Sequence, residues 1–190
     1  MAKLIYVANV SLDGCIEDVR GSLEWAEPSD EVFNFIAELI RPVSTYLYGR
    51  RMYEAMSLWE TDPTLAARSP SSASFADLWR DARKIVYSTT LHDVSTTHTE
   101  LEYRFDAESI RRLKASARGD LTIGGSMIAA HAFDAGVIDE CHLLVYPVVV
   151  GKGKPAFLSD ERVRMELLDQ RVFTNGVIYL RYLVSSHFGR

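Results

Sequence analysis

The stretch LTIGGSMIAAHAFDAGVIDECHLLVYPVVVGKGKPAF, residues 121–157, decides how this chain folds. Leu121 to Ile123 is a short apolar run that enters the pair Gly124-Gly125. Ser126 to Ala135 then reads as a helix stopped by Gly136, because glycine takes the backbone conformation a helix end needs. Glu140 to Tyr146 is a second apolar run of strand length, followed by Pro147 to Pro155 with two further glycines. Strand, helix and strand in that order form the crossover unit of a parallel sheet.

The same alternation extends outward. Leu4 to Val10 is an apolar first strand, and Ser11 to Pro28 is a long loop with turn formers at Asp13-Gly14 and Arg20-Gly21. Ser29 is placed to cap a helix starting at Asp30, whose Val32, Phe33, Ile36, Leu39 and Ile40 fall on one face. Thr45 to Tyr48 is a strand ending at Gly49, with a short helix from Arg50 to Met56. The segment from Thr61 to Ser74, rich in Pro, Ser and Ala, reads as a mobile surface loop. Strands are expected at Ile85 to Ser88 and near Thr99 to Tyr103, with a helix from Ala107 to Ala117. The runs Met165 to Phe173 and Val177 to Ser185 form a hairpin through Asn175-Gly176. The expected fold is one α/β domain over residues 1–190, with a mainly parallel sheet covered on both faces and a C-terminal antiparallel hairpin.

Composition narrows the function. With 190 residues, 47% hydrophobic and 25% charged, the chain has the balance of an ordinary globular domain. Its net charge of -5 argues against a nucleic-acid partner, since phosphate backbones need a basic face. No apolar run reaches the roughly 18 residues of a membrane span, and the N-terminus lacks the pattern of a signal peptide. A cytoplasmic chain is expected, with Cys15 and Cys141 as free thiols. The 5 histidines, His187 among them, show no ligand spacing, so no metal site is expected.

Three strand ends carry residues suited to an anion. Ligands of open parallel sheets sit beyond the carboxyl ends of the strands. Tyr48-Gly49-Arg50-Arg51 puts two guanidinium groups at a helix start, although a solvated basic pair is the simpler reading. Thr122-Ile123-Gly124-Gly125-Ser126 lets backbone N–H groups approach a pyrophosphate, or makes only a tight turn. Tyr87-Ser88-Thr89-Thr90 offers hydroxyls to a ribose phosphate, or caps a turn. Three such ends in one sheet favour a nucleotide cofactor.

With these residues in hand, the chain resembles the dihydrofolate-reductase superfamily. It is most similar to the branch holding the reductase domain of the bifunctional riboflavin-biosynthesis deaminase/reductase. Ser11 to Gly14 (SLDG), Gly49-Arg50, Ile85 to Thr90 (IVYSTT) and Ile123 to Phe157 carry the resemblance. It implies a three-layer dihydrofolate-reductase-like fold and an NADPH-dependent reductase of a pterin-like or pyrimidine-like molecule. Within it, Arg50, Ser88 and Thr89 would hold the adenosine side of NADPH with its 2′-phosphate, and Gly49 and Arg51 would be further cofactor-binding positions. Gly124, Gly125, Ser126 and Met127 would cradle the pyrophosphate, with a Gly124–Gly125 bond that is cis in many relatives. Ala8, Gly14 and Ile16 would line the nicotinamide.

The spacing of Trp25, Pro28 and Asp30 matches the W-x-x-P-x-D pattern that brings a carboxylate into the pterin pocket, so Asp30 is the candidate proton donor, with Asp13 as the second. Both acids also suit ordinary roles, Asp30 in a helix first turn and Asp13 beside a turn glycine. Some positions depart from dihydrofolate reductases. Met52 replaces a threonine, Leu144 and Val145 replace a hydroxyl partner of the acid, and Arg83 is the nearest counterpart of the arginine that grips the folate tail. The alternatives are the 5-amino-6-(5-phosphoribosylamino)uracil reductase of riboflavin biosynthesis and a non-catalytic NADPH-binding protein. Relatives imply a homodimer, and Glu140 to Tyr146 with Pro147 to Phe157 is the expected self-complementary surface.

Overall fold

Residues 1–185 are described by a computed structural model, and His187 lies outside them. The chain runs β1 (Leu4–Ser11), β2 (Cys15–Glu17), α1 (Asp30–Ile40), β3 (Val43–Gly49), α2 (Arg50–Met56), α3 (Leu58–Thr61), α4 (Pro63–Ala66) and α5 (Pro70–Asp81). It continues through β4 (Arg83–Tyr87), β5 (Thr99–Glu102), α6 (Ala107–Ser116), β6 (Asp120–Gly124), α7 (Ser126–Asp134), β7 (Glu140–Tyr146), β8 (Lys154–Pro155), β9 (Arg164–Val172) and β10 (Ile178–Ser185). A 3₁₀ turn, Glu24–Ala26, precedes α1. The main sheet has 8 strands in the order β5-β4-β3-β6-β1-β7-β10-β9. It is parallel from β5 to β7 and closes with the antiparallel pair β10 and β9. β2 and β8 form a separate antiparallel pair, too short to be read from composition.

Alternation along the strands sorts the core into two layers. Leu4, Tyr6 and Val10 of β1, Leu47 of β3 and Leu143 of β7 pack against Ile110 of α6 and Ile128, Ala132 and Phe133 of α7. On the other face, Tyr46 and Tyr48 of β3 meet Ala37 and Ile40 of α1 and Phe75 and Trp79 of α5. Leu144 and Tyr146 of β7 meet Val32 of α1 there, beside Phe173, Val177 and Tyr179 of the terminal hairpin. Ser29 caps α1 by accepting from Val32 N–H at 3.4 Å.

Two expectations need correction. The 61–74 segment is largely helical, not a loop. Asp62 and Ser69 cap α4 and α5 by accepting from Thr64 N–H (2.9 Å) and Ser72 N–H (3.0 Å), with prolines in the first turns. Phe75, Ala76 and Trp79 anchor α5, and Lys84, fully buried, donates to the carbonyls of Trp79 and Arg80 at its end. Proline and serine are turn residues and also helix-start residues, and composition alone does not separate the two. Second, Glu140 to Tyr146 is no outer surface, because β7 lies between β1 and β10 and all of it but Val145 is buried. The most exposed strand is β9 at one sheet edge, with β5 at the other. Among the described residues, no helix is long and apolar enough to cross a membrane.

One buried carboxylate ties three strands together. Glu140 accepts from Lys3 Nζ (2.7 Å), Arg181 Nε (2.8 Å) and His142 Nε2 (2.9 Å), while His142 Nδ1 faces Tyr179 Oη at 3.2 Å. Burial pushes the Glu140 pKa up, but Arg181, Lys3 and His142 outweigh it and hold it at about 2. The charged form is therefore favoured in the folded state. Its stabilisation is complete above the ordinary value of 4.5 and is lost as pH falls toward 2. Glu140→Gln should lower stability at pH 7 by about 1–3 kcal/mol and flatten the acid side of the stability profile. Urea denaturation at a series of pH values reads both, and an unchanged acid limb would show that Glu140 does not set it.

Candidate active site

The cleft begins where strands part. β1 pairs with β6 from Leu4↔Leu121 to Tyr6↔Ile123 and no further, but stays with β7 as far as Ser11↔Tyr146. From Val7 to Ser11, β1 therefore pairs with β7 alone, which leaves a notch in the strand pairing at the carboxyl edge of the sheet. β6 and β3 end together there, with Tyr48 in register with Gly124. Gly49 and Gly125 are the N-caps of α2 and α7, and neither helix start has a side-chain cap. Their free N–H groups make this seam suited to an anion.

The two seam glycines differ in what a side chain would meet. A Cβ on Gly124 would stand 3.0 Å from Met52 Cγ and 3.3 Å from the Tyr48 ring, so these side chains would have to shift by a few tenths of an ångström. Gly125 has φ +102°, a backbone that side-chain-bearing residues rarely adopt. The Gly124–Gly125 bond is trans, as are all peptide bonds among the described residues. Ser126 Oγ follows directly, buried and without a hydrogen-bond partner among the described residues, while Met127 is exposed. An orphaned hydroxyl beside two glycines and a free helix start fits a pyrophosphate.

The two arginines diverge. Arg50 Nε pairs with Glu54 at 2.7 Å, and its Nη1 donates to Thr90 Oγ1 at 3.1 Å, joining the β3 end to the turn after β4. In that turn Ser88 Oγ accepts from Thr90 N–H (3.1 Å) and Leu91 N–H (3.0 Å), so Ser88 is a turn cap, while Thr89 is exposed beside it. Thr90 is the hydroxyl that meets Arg50. Arg51 points the other way, to Glu17 Oε2 at 3.2 Å, and Lys154 Nζ reaches the other oxygen of Glu17 at 3.7 Å. Sequence adjacency made one basic pair of two side chains that serve opposite sides of the cleft.

The loop after β1 is clasped shut. Ala8 and Ile16 are half-buried, Gly14 turns at φ +82°, and Gly14 O accepts from Ala156 N–H at 2.9 Å. Asp13 accepts from Ser11 Oγ (2.6 Å), Gly151 N–H (2.8 Å) and Val150 N–H (3.2 Å). The Ser11 hydroxyl and these two amides hold its carboxyl below the usual range, which suits a loop clasp and not a proton donor. Gly153 closes the same contact, because a Cβ there would stand 2.2 Å from Glu17 O.

On the α1 side, Asp30 is exposed at the first helical position and makes no hydrogen bond or ion pair among the described residues. Its neighbour Glu31 is committed elsewhere, accepting from Thr174 Oγ1 (2.7 Å) and Arg171 Nη2 (3.3 Å) of the hairpin. Trp25 Nε1 donates to Ser22 O at 3.1 Å, and the indole stands edge-on to Tyr146. Leu144, where a hydroxyl partner for Asp30 would stand, is fully buried in the core. Arg83 is no part of this cleft. It opens β4 at the opposite, amino edge of the sheet and is paired in a fork with Glu100 at 2.7 and 2.8 Å.

A parallel sheet with a terminal antiparallel pair and a glycine seam at its strand ends defines a dihydrofolate-reductase-like α/β protein. The chain belongs to the RibD C-terminal domain family, which matches residues 2–179. Many solved structures share the fold, three of them as follows. A candidate riboflavin biosynthesis protein from Shewanella sp. PV-4 has a TM-score of 0.75 and 23% identity over 98% of this chain and 100% of that one. The diaminohydroxyphosphoribosylaminopyrimidine deaminase/5-amino-6-(5-phosphoribosylamino)uracil reductase of Thermotoga maritima has a TM-score of 0.64 and 20% identity over 97% of this chain but only 57% of its own. Dihydrofolate reductase from Enterococcus faecalis, solved with NADP(H), has a TM-score of 0.64 and 14% identity over 97% of both chains.

The seam yields a stability prediction independent of any ligand. Gly125→Ala puts a Cβ on a backbone of φ +102° and should cost about 1–3 kcal/mol. Thermal denaturation with the enthalpy measured checks it, and an unchanged midpoint would mean the turn relaxes freely.

Proposed function

We propose that the protein is an NADPH-dependent reductase of a planar nitrogen heterocycle, pterin-like or pyrimidine-like. The observation that carries the reading is the glycine seam itself, with the buried unpartnered Ser126 hydroxyl on one side and Arg50 with Thr90 on the other. Gly124, Gly125, Ser126 and Met127 hold the pyrophosphate, and Gly49 adds the start of α2. Arg50, with Ser88, Thr89 and Thr90, binds the 2′-phosphate once its guanidinium turns from Glu54. Arg51 serves the nicotinamide half of the dinucleotide. Ala8, Gly14 and Ile16 shape the notch beside β1, and the Asp13 clasp keeps that loop in place. When bound, NADPH supplies the hydride.

The substrate lies between β1 and α1, where Asp30 has an uncommitted carboxylate to deliver or relay the proton. Family membership favours a pyrimidine over a pterin, and 5-amino-6-(5-phosphoribosylamino)uracil is the first substrate to try. The protein works in the cytoplasm, where the buried Cys15 and Cys141 stay free thiols. It pairs as a homodimer through the exposed edge strand β9, which carries Leu167, Leu168 and Val172. Light scattering at micromolar concentration should give twice the chain mass, and a monomer removes that part of the reading.

Steady-state and binding measurements test the rest. Arg50→Ala should weaken NADPH by about ten- to a hundredfold and leave NADH nearly unchanged. Equal losses for both cofactors would place Arg50 outside the 2′-phosphate site. Asp30→Asn should lower turnover by roughly 10²–10⁴-fold with NADPH affinity intact. Full turnover with an unchanged pH profile would assign the proton to another group. Failure of the wild type to bind NADPH at all would overturn the reading.

A further inference from the structure

Tyr146 is the last residue of β7, at the sheet edge where the cleft opens. Its Oη is buried and has no hydrogen-bond partner among the described residues. Leaving a hydroxyl desolvated and unpaired is unfavourable, and phenylalanine would fill the same space without that penalty. The register Asn9↔Leu144 and Ser11↔Tyr146 puts these four residues on the sheet face that α1 covers. Asn9 is half-buried and also makes no side-chain hydrogen bond among the described residues. Around them the floor is apolar, with Val32, Leu144, Phe173 and Val177. The roof over Tyr146 is Trp25, its ring centroid 6.0 Å away at an interplanar angle of 86°. Trp25 belongs to a single 3₁₀ turn without a side-chain cap and is tied down through its Nε1 to Ser22 O, so it is a small part to displace.

We propose that Tyr146 and Asn9 are the residues that read the substrate ring. Tyr146 Oη donates to a ring carbonyl or nitrogen of a planar heterocycle entering beneath Trp25, and the Asn9 amide pairs with an adjacent N–H and C=O of the same ring. An amide side chain offers one donor group and one acceptor, the complement of a pyrimidinone edge. Burial pushes the Tyr146 hydroxyl up to about 12, so it stays a donor throughout the neutral range. A heterocycle satisfies both side chains, whereas an aliphatic or purely aromatic ring leaves them unpaired, and this is how a buried polar group discriminates. The inference rests on the cleft being a reductase's substrate site.

Tyr46 provides the control. Its Oη is equally buried and has no partner among the described residues, yet it sits in mid-strand in register with Thr122 and stacked on Tyr48, away from the strand ends. The experiment is calorimetric titration of 6-aminouracil and of 2-amino-4-hydroxypteridine into the protein saturated with NADP+, for wild type, Tyr146→Phe, Asn9→Ala and Tyr46→Phe, with melting temperatures for each. At least one probe should bind wild type and Tyr46→Phe equally. Tyr146→Phe and Asn9→Ala should weaken that probe by about ten- to a hundredfold, with the melting temperature of Tyr146→Phe at or above that of wild type. Unchanged probe affinity in Tyr146→Phe, with the wild type binding, overturns this assignment and leaves the reductase reading standing. If the wild type binds NADP+ but neither probe, both the assignment and the heterocycle reading fall.

Discussion

Everything at this site depends on β1 outlasting β6. Were the two strands paired to their ends, the sheet would be closed at its centre and no ligand could reach the backbone of β1. The parting occurs because β6 reaches its glycine pair at Gly124 while β1 continues along β7 to Ser11. Gly125 then turns the chain at φ +102° into α7, directly beside the start of α2 at Gly49. Two helix starts and a strand edge thus face one notch. The polar groups that secondary structure would otherwise consume are left free for a ligand.

The surroundings of the notch are held more firmly than the notch itself. Below it, Glu140, at the end of β7 opposite Tyr146, gathers Lys3, Arg181 and His142. Beside it, Asp13 and Glu17 fasten the loop after β1 to the 150–154 segment through backbone amides and Lys154, and Arg51 ties Glu17 to α2. Charged groups within the cleft, by contrast, are paired weakly or not at all. Arg50 is half-exposed and shared between Glu54 and Thr90, and Asp30 has no partner among the described residues. A site that must accept a polyanion and a polar ring benefits from keeping its own counter-charges few, because each internal pair must be broken on binding.

Much of the fold was legible in the chain, because strands and helices alternate with strong apolar periods and end at glycines. The β6–α7–β7 unit, the Ser29 cap and the Asn175-Gly176 hairpin were all readable from local chemistry. The helices at 63–81 were not, since proline and serine at a helix start are indistinguishable from a loop until Phe75 and Trp79 find their places in the core. The interior position of β7 was hidden for a related reason. An apolar strand announces burial without saying whether a neighbouring strand or a second subunit provides it. At the site, glycines and arginines could be named, but the divergence of Arg50 from Arg51, the clasp made by Asp13 and the orphaned hydroxyls of Ser126 and Tyr146 exist only in three dimensions.

A crystal structure of the protein grown with NADPH measures the central claim most directly. The account predicts the pyrophosphate against the backbone of Gly124 and Gly125, within hydrogen-bond reach of Ser126 Oγ, and the nicotinamide in the notch beside Ala8 and Ile16. Nucleotide density elsewhere on the surface, or an empty seam at saturating NADPH, would contradict it.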